Sequence, residues 1–195
     1  MYTQAQLCNL ALDRIGTTEV LKSLGDNTIE CEVCLREFPG ALTKVLSLYP
    51  WGFARKRAVL ARLAAEPPFG YSYAYQLPPD FLSLVRIEGF PGNGTFEIED
   101  GKLLCDEPTC RIVYCRNGVD PAQLPPHVAE LLVVELARRI VAPLRNSARS
   151  DVQSFLQQLW QDAYPVAMAA EMQSFNRRRR GRWLDEQNFP EEIRR

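Results

Sequence analysis

The chain has 195 residues, 46% of them apolar, with 23 lysines and arginines against 24 aspartates and glutamates and a formal net charge of −1. That length and apolar share suffice for a packed core without metal or disulfide staples. The near balance of charge excludes a chain that binds nucleic acid or an anionic membrane through its overall field, and no apolar run approaches the ~18 residues of a membrane-spanning helix.

In chain order, residues 3–15 come first and place Leu7, Cys8, Ala11, Leu12 and Ile15 on one face of a helix. Gly16 follows where a left-handed cap residue ends a helix. Asp13 and Arg14 within the apolar pattern argue against a secretory signal. The chain is therefore expected in a reducing cytoplasm, where its six cysteines stay thiols. Asp26 or Asn27 offers an N-cap for a second helix with Val33, Leu35, Leu42, Val45, Leu46 and Leu48 as its apolar positions. Pro39-Gly40 inside it predicts a kink or two shorter helices.

The helical period fades after Pro50. Strand-like runs follow at residues 71–77, 84–90, 95–99, 102–105 and 111–115. Asn93-Gly94 and Asp100-Gly101 suit tight hairpins because these residues tolerate positive φ. Helical patterning returns at Pro125-Pro126, which fit a first turn whose amides lack partners anyway. Ala129, Leu132, Val133, Leu136, Ala137, Ile140 and Leu144 form a broad apolar face, widened by Leu131, Val134 and Val141. A helix that apolar is buried centrally or against another subunit. Ser147 or Ser150 is a cap for a last long helix with Val152, Phe155, Leu159, Ala163, Val166, Ala167 and Ala170 on one face, and Pro165 predicts a bend. The class expected is α+β: an antiparallel helical bundle of about four helices from residues 1–54 and 118–176, an antiparallel β-meander inserted at 55–117, and a basic, flexible C-terminal tail at 177–195.

Catalysis finds little support. Cys31-x-x-Cys34 lies inside a helix without the strand-to-helix entry of redox motifs. Zinc needs about four ligands, and Cys105, Cys110 and Cys115 include no second CxxC. His127, the single histidine, is expected as a solvated helix-start residue rather than a general base. No carboxylate cluster or glycine-rich phosphate loop occurs. The pattern thus supplies no catalytic residue, metal site or cofactor. Trp51 and Phe53 after Pro50 are expected to latch the helical and β regions together.

Two groups suggest partners. Tyr71, Tyr73 and Tyr75 alternate along one strand face, and tyrosine is enriched at protein contacts. Arg177, Arg178, Arg179, Arg180 and Arg182, with Trp183, form a basic cluster with three open readings: a solvated helix end, docking on an acidic protein surface, or contact with nucleic-acid phosphates.

Certain motifs and their order resemble a known family. Ala11-Leu12-Asp13-Arg14-Ile15-Gly16 followed by Asp26-Asn27-Thr28, then Tyr49-Pro50-Trp51-Gly52-Phe53-Ala54, then Tyr73-Ala74-Tyr75-Gln76-Leu77-Pro78 with Asp80 and the strand at 84–87, is similar to tail tubular protein A of short-tailed phages. Asp100-Gly101-Lys102-Leu103-Leu104 and the apolar helix at 128–142 fall in the matching order, so the resemblance spans residues 7–170. Cys31 stands where the pattern implies a small residue, and Pro39-Gly40 departs from it. The resemblance implies a non-enzymatic virion protein of the tail or neck, assembled in the host cytoplasm. It implies a head-to-tail adaptor that forms a dodecameric ring with itself between portal protein and tail nozzle protein. Non-specific contact with packaged DNA would be possible there, with no membrane role. The alternatives are a DNA-binding regulator acting through the arginine cluster and a head-completion protein of a long-tailed phage.

Overall fold

The computed structural model describes residues 1–90, 94–144 and 150–187, with side chains as far as residue 174. Four α-helices and two small antiparallel sheets place the chain in the α+β class. The chain divides into two compact units, Met1–Val45 with Asp120–Arg195, and Leu46–Val119. The division falls inside the second helix, ahead of the aromatic segment at 49–53. Among the described residues no helix is long and apolar enough to cross a membrane.

In the first unit, α1 (Gln4–Arg14) starts at a capping box in which Thr3 and Gln6 satisfy each other's backbone amides. It ends at Gly16, whose φ of 72° is the left-handed conformation expected there. Its inner face is Leu7, Cys8, Ala11 and Leu12. The second helix, α2, spans Ile29–Leu48 without division at Pro39, so of the kink or two shorter helices predicted at Pro39-Gly40 the division into two does not occur. The Thr28 hydroxyl accepts from the Cys31 amide at 3.2 Å and so provides the cap expected of Asp26 or Asn27. Asp26 instead accepts from the Lys22 and Ser23 amides and closes the preceding turn. Gly40 has a packing role: a Cβ there would stand 2.9 Å from Nη1 of Arg139. Leu35, assigned to the apolar face, is exposed.

Helix α3 (Pro126–Leu144) is the centre of this unit, with residues 131–137 all buried, Glu135 among them. Helix α4 (Ser150–Gln187) runs unbroken through Pro165. Glu171 lies beside His127 near the start of α3, while Gln157 and Trp160 lie beside Arg138 near its end. The two helices are therefore antiparallel. At 1.5 Å per residue α4 extends to roughly 57 Å against roughly 28 Å for α3. Its buried positions are Leu156, Ala167 and Glu171. Phe155 and Val166, predicted on the apolar face, are 52% and 65% exposed. Ser150 is the first helical residue, and Ser147 lies outside the described residues.

The second unit holds β1 (Arg55–Val59), β2 (Tyr73–Gln76), β3 (Phe81–Ile87), β4 (Phe96–Glu99), β5 (Lys102–Cys105) and β6 (Arg111–Arg116). All pairs are antiparallel, in the orders β1-β6-β3 and β2-β5-β4. Strands adjacent in sequence are neighbours only at β4–β5. There Asp100 and Gly101 both take positive φ, 47° and 69°, as the hairpin signal requires. The other expected turn, Asn93-Gly94, has Asn93 outside the described residues. One apolar cluster draws on both sheets, with Leu60, Tyr75, Leu103, Cys105, Ile112 and Tyr114 buried together. Strand β1 was not foreseen, because Arg55-Lys56-Arg57 offers no apolar alternation.

Candidate functional site

The cysteines occupy two buried groups, one in each unit. In the first, the thiols of Cys8 on α1 and Cys34 on α2 share a hydrogen bond. Donating that bond, with burial, pushes the Cys8 thiol far up, while accepting it brings Cys34 below the ordinary thiol value. Cys31 turns away, its thiol donating to the carbonyls of Leu24 at 3.5 Å and Ser23 at 3.9 Å. The CxxC spacing therefore does not pair its own two sulfurs. In the second unit, Cys105 and Cys110 share a hydrogen bond at the turn between β5 and β6, and burial pushes Cys110 up to about 12. All six cysteines are buried and free. Among the described residues no three His, Cys, Asp or Glu side chains converge to hold a metal ion.

His127 is not the solvated helix-start residue expected from sequence. Its side chain is mostly buried, and its Nε2 stands 3.8 Å from the Glu171 carboxylate on α4. Farther along the same seam, Glu135 accepts from Arg139 at 2.9 Å and from Arg138 at 3.3 Å. Arg138 also donates to Gln157 at 2.9 Å and lies 5.2 Å from the centre of the Trp160 ring. A buried carboxylate is tolerable when its lone pairs are filled in this way. These contacts hold α3 to α4. Sequence patterning does not single out this network, since Gln157, which Arg138 meets on α4, lies 19 residues away in the chain.

In the β unit, Asp80 accepts from Lys56 on β1 at 2.6 Å and from the Tyr114 hydroxyl on β6 at 2.8 Å. The Lys56 bond, followed by the Tyr114 bond, holds the Asp80 carboxyl below its usual range. Burial and the Asp80 bond push the Tyr114 phenol up to about 12. Asp80 is thereby a tie across the first sheet.

The tyrosine row divides. Tyr75 is 1% exposed and its hydroxyl donates to the Glu107 carbonyl at 2.6 Å, so it belongs to the core and not to a contact surface. Tyr73 is half-buried with the Arg62 guanidinium 4.0 Å from its ring centre, so a basic residue does accompany the row. Tyr71 is half-buried and precedes the strand. Trp51 is fully buried, with the Tyr49 ring edge-on at 5.3 Å and Phe53 stacked at 6.5 Å. The backbone of α4 continues to Gln187. Residues 177–187 thus extend a helix where a flexible tail was expected. The side chains of Arg177, Arg178, Arg179, Arg180, Arg182 and Trp183 lie outside the described residues.

Comparison with protein-family models and with curated proteins finds no match. What the chain does must therefore be argued from its surface.

That surface has three apolar features the sequence reading did not isolate. Phe155, Val166 and Met172 are exposed along α4, and Phe69 is 87% exposed beside Gly70 in the loop before β2. Strand β4 is exposed at every residue, including Phe96 and Ile98. A cleft of about 500 Å³ between α1, α3 and α4 is lined by Arg14, Gly16, Val141, Asp151, Val152 and Phe155. Its mixed lining offers charge and apolar surface but no nucleophile beside a base, which suits contact better than chemistry.

Proposed function

We propose that this chain is a non-enzymatic structural subunit of a phage virion, a head-to-tail adaptor. In this reading copies assemble into a dodecameric ring between portal protein and tail nozzle protein and extend the DNA channel. The plan it calls for is an antiparallel helical bundle with an inserted antiparallel β-meander. The antiparallel α3–α4 pair supports the bundle, whereas the strand orders β1-β6-β3 and β2-β5-β4 keep the antiparallel pairing but depart from a meander, in which strands adjacent in sequence are adjacent in the sheet. The order of the sequence motifs supports the family. The observation that carries the reading is α4 itself. It is about twice the length of its partner α3, exposes Phe155, Val166 and Met172, and runs into the arginine cluster. Over residues 150–174, where its side chains are described, only Leu156, Ala167 and Glu171 are buried, and a helix face so exposed is suited to burial on neighbours.

Electron microscopy of the purified chain mixed with purified portal rings tests this. Adaptor density seated on the portal with the portal's symmetry is the expected result. A chain that never joins portal rings contradicts the reading. The arginine cluster also favours a DNA-binding regulator, which differs in requiring tight duplex binding that weakens steeply with salt and needs no portal. A long-tailed-phage head-completion protein would join its portal but recruit a tail of the other type.

A further inference from the structure

We propose that copies of this chain join through their β units, the outer edge of β1 in one subunit hydrogen-bonding the outer edge of β4 in the next. The proposal rests on the ring reading above and supplies its contact. Which edges are open follows from the pairing. The Leu60 amide donates to the Cys110 carbonyl, so the alternation along β1 turns the amides of Arg57 and Val59 away from β6. The Leu77 amide donates to the Gly101 carbonyl, which sets the alternation across β2, β5 and β4 and turns the amides of Phe96 and Ile98 outward. At the start of β1 the Arg55 amide donates to the Gly52 carbonyl, while no backbone hydrogen bond among the described residues is made by the outward amides of Arg57, Val59, Phe96 and Ile98.

Of the other two edges, one is covered and one is irregular. Residues 61–63 cover β2, with Leu63 donating to Ala74 and Gln76 donating to Ala61. Strand β3 carries register shifts at Phe81/Ser83 and Leu84/Arg86, irregularities that spoil an edge as a template.

Charge selects the occupant. The β1 edge carries Arg55, Lys56 and Arg57, whereas the β4 edge carries Glu97 and Glu99 and turns at Asp100. Pairing β1 with a second β1, or β4 with a second β4, sets like charges opposite one another and is disfavoured. Pairing β1 with β4 sets opposite charges together. One antiparallel register places Val59, 69% exposed, opposite Phe96, 42% exposed, and brings Glu99 beside Lys56, whose ammonium is already bonded to Asp80 of its own subunit. In that register the outward amides of Val59 and Arg57 face the carbonyls of Phe96 and Ile98. The contact joins two different surfaces, so it is head-to-tail, the kind that closes into a ring when the rotation per subunit allows.

The test blocks one edge at a time. Arg57→Pro removes the outward amide of β1, and Ile98→Pro removes that of β4. Circular dichroism and thermal melting of each confirm folding. Should either proline variant fail to fold, Arg57→Glu and Glu97→Lys reverse the edge charges without touching the backbone. Native mass spectrometry and light scattering then report assembly of the full-length chain at up to millimolar concentration. Each blocked variant alone is expected to be monomeric, with self-association weakened by roughly 100-fold or more. Mixed in equal amounts, the two variants are expected to form a one-to-one dimer and nothing larger, because each retains the edge the other lacks. Rings that persist in both variants overturn the edge contact and leave the ring reading standing. A native chain that stays monomeric even at millimolar concentration overturns the edge contact, while the ring reading falls only if the chain also fails to join portal rings.

Discussion

Strands β6 and β4 belong to the same unit and pair in the same antiparallel manner, yet their surroundings are opposite. Residues Ile112, Val113, Tyr114 and Cys115 of β6 are buried, with β1 on one side and β3 on the other. Every residue of β4 is exposed, and only β5 pairs with it. Hydropathy already separates them: β6 is apolar without a break over residues 112–115, whereas β4 alternates Phe96 and Ile98 with Glu97 and Glu99. Position in the sheet agrees. A central strand has both backbone edges satisfied and contributes to stability, whereas an edge strand with exposed phenylalanine and isoleucine keeps unsatisfied amides that another chain can use. The same division recurs in the helical unit, where α3 is buried around its whole circumference at residues 131–137 and α4 is mostly exposed.

If burial marks the residues that hold the fold, the largest losses come from the buried side. Trp51→Ala is expected to destabilise the chain by about 3–5 kcal/mol, as truncation of a buried indole does, measured by denaturant unfolding. Within the sheets, Ile112→Ala on β6 is expected to cost about 2–5 kcal/mol. Ile98→Ala at the matching alternate position of β4 is expected to cost under ~1 kcal/mol in the free subunit. Equal losses at Ile112 and Ile98 would break the comparison.

The Asp80 tie sharpens it through pH. Asp80 is depressed in the fold, so its contribution is present above the ordinary carboxylate pKa and is lost as pH falls through the depressed value. Tyr114 is raised to about 12, so its contribution is present below the ordinary phenol pKa and is lost as pH rises through about 12. Asp80→Asn should therefore flatten the acid limb of the melting-temperature profile. A limb of unchanged slope would mean the tie adds no stability. Smaller still is the expected effect of a thiol reagent. With all six cysteines buried and Cys110 raised to about 12, labelling of the native chain near neutral pH should be slow. While the bond from Cys8 holds, the lowered Cys34 is expected to react before Cys8. Rapid labelling of Cys110 in the native chain would contradict its burial.

Much of the fold was legible in the sequence because local chemistry decided it. The Asp100-Gly101 hairpin needs two positive φ values, Gly16 needs one, and α3 is too apolar to lie on a surface. What stayed hidden depends on partners distant in the chain. Arg55-Lys56-Arg57 reads as loop because an edge strand tolerates charges that a central strand does not. Pro39-Gly40 reads as a kink or a division into two helices, and α2 continues through it as one helix. Tyr75 reads as surface because alternation gives a shared face without saying which face is inward. Glu135 reads as solvated because Arg138 and Arg139 join it only in the folded helix, and Gln157 only across to α4. The arginine cluster was evident as composition, and its side chains lie outside the described residues.

The central claim is that the exposed edges β1 and β4, and not the buried strand between β1 and β3, join one subunit to the next. Hydrogen exchange resolved at single amides, compared between dilute subunit and assembled ring, tests it most directly. The amides of Arg57, Val59, Phe96 and Ile98 are expected to exchange fast in the subunit and to become protected in the ring, while those of Ile112 and Tyr114 stay slow in both. Rings in which the four edge amides exchange as fast as in the free subunit would contradict the claim.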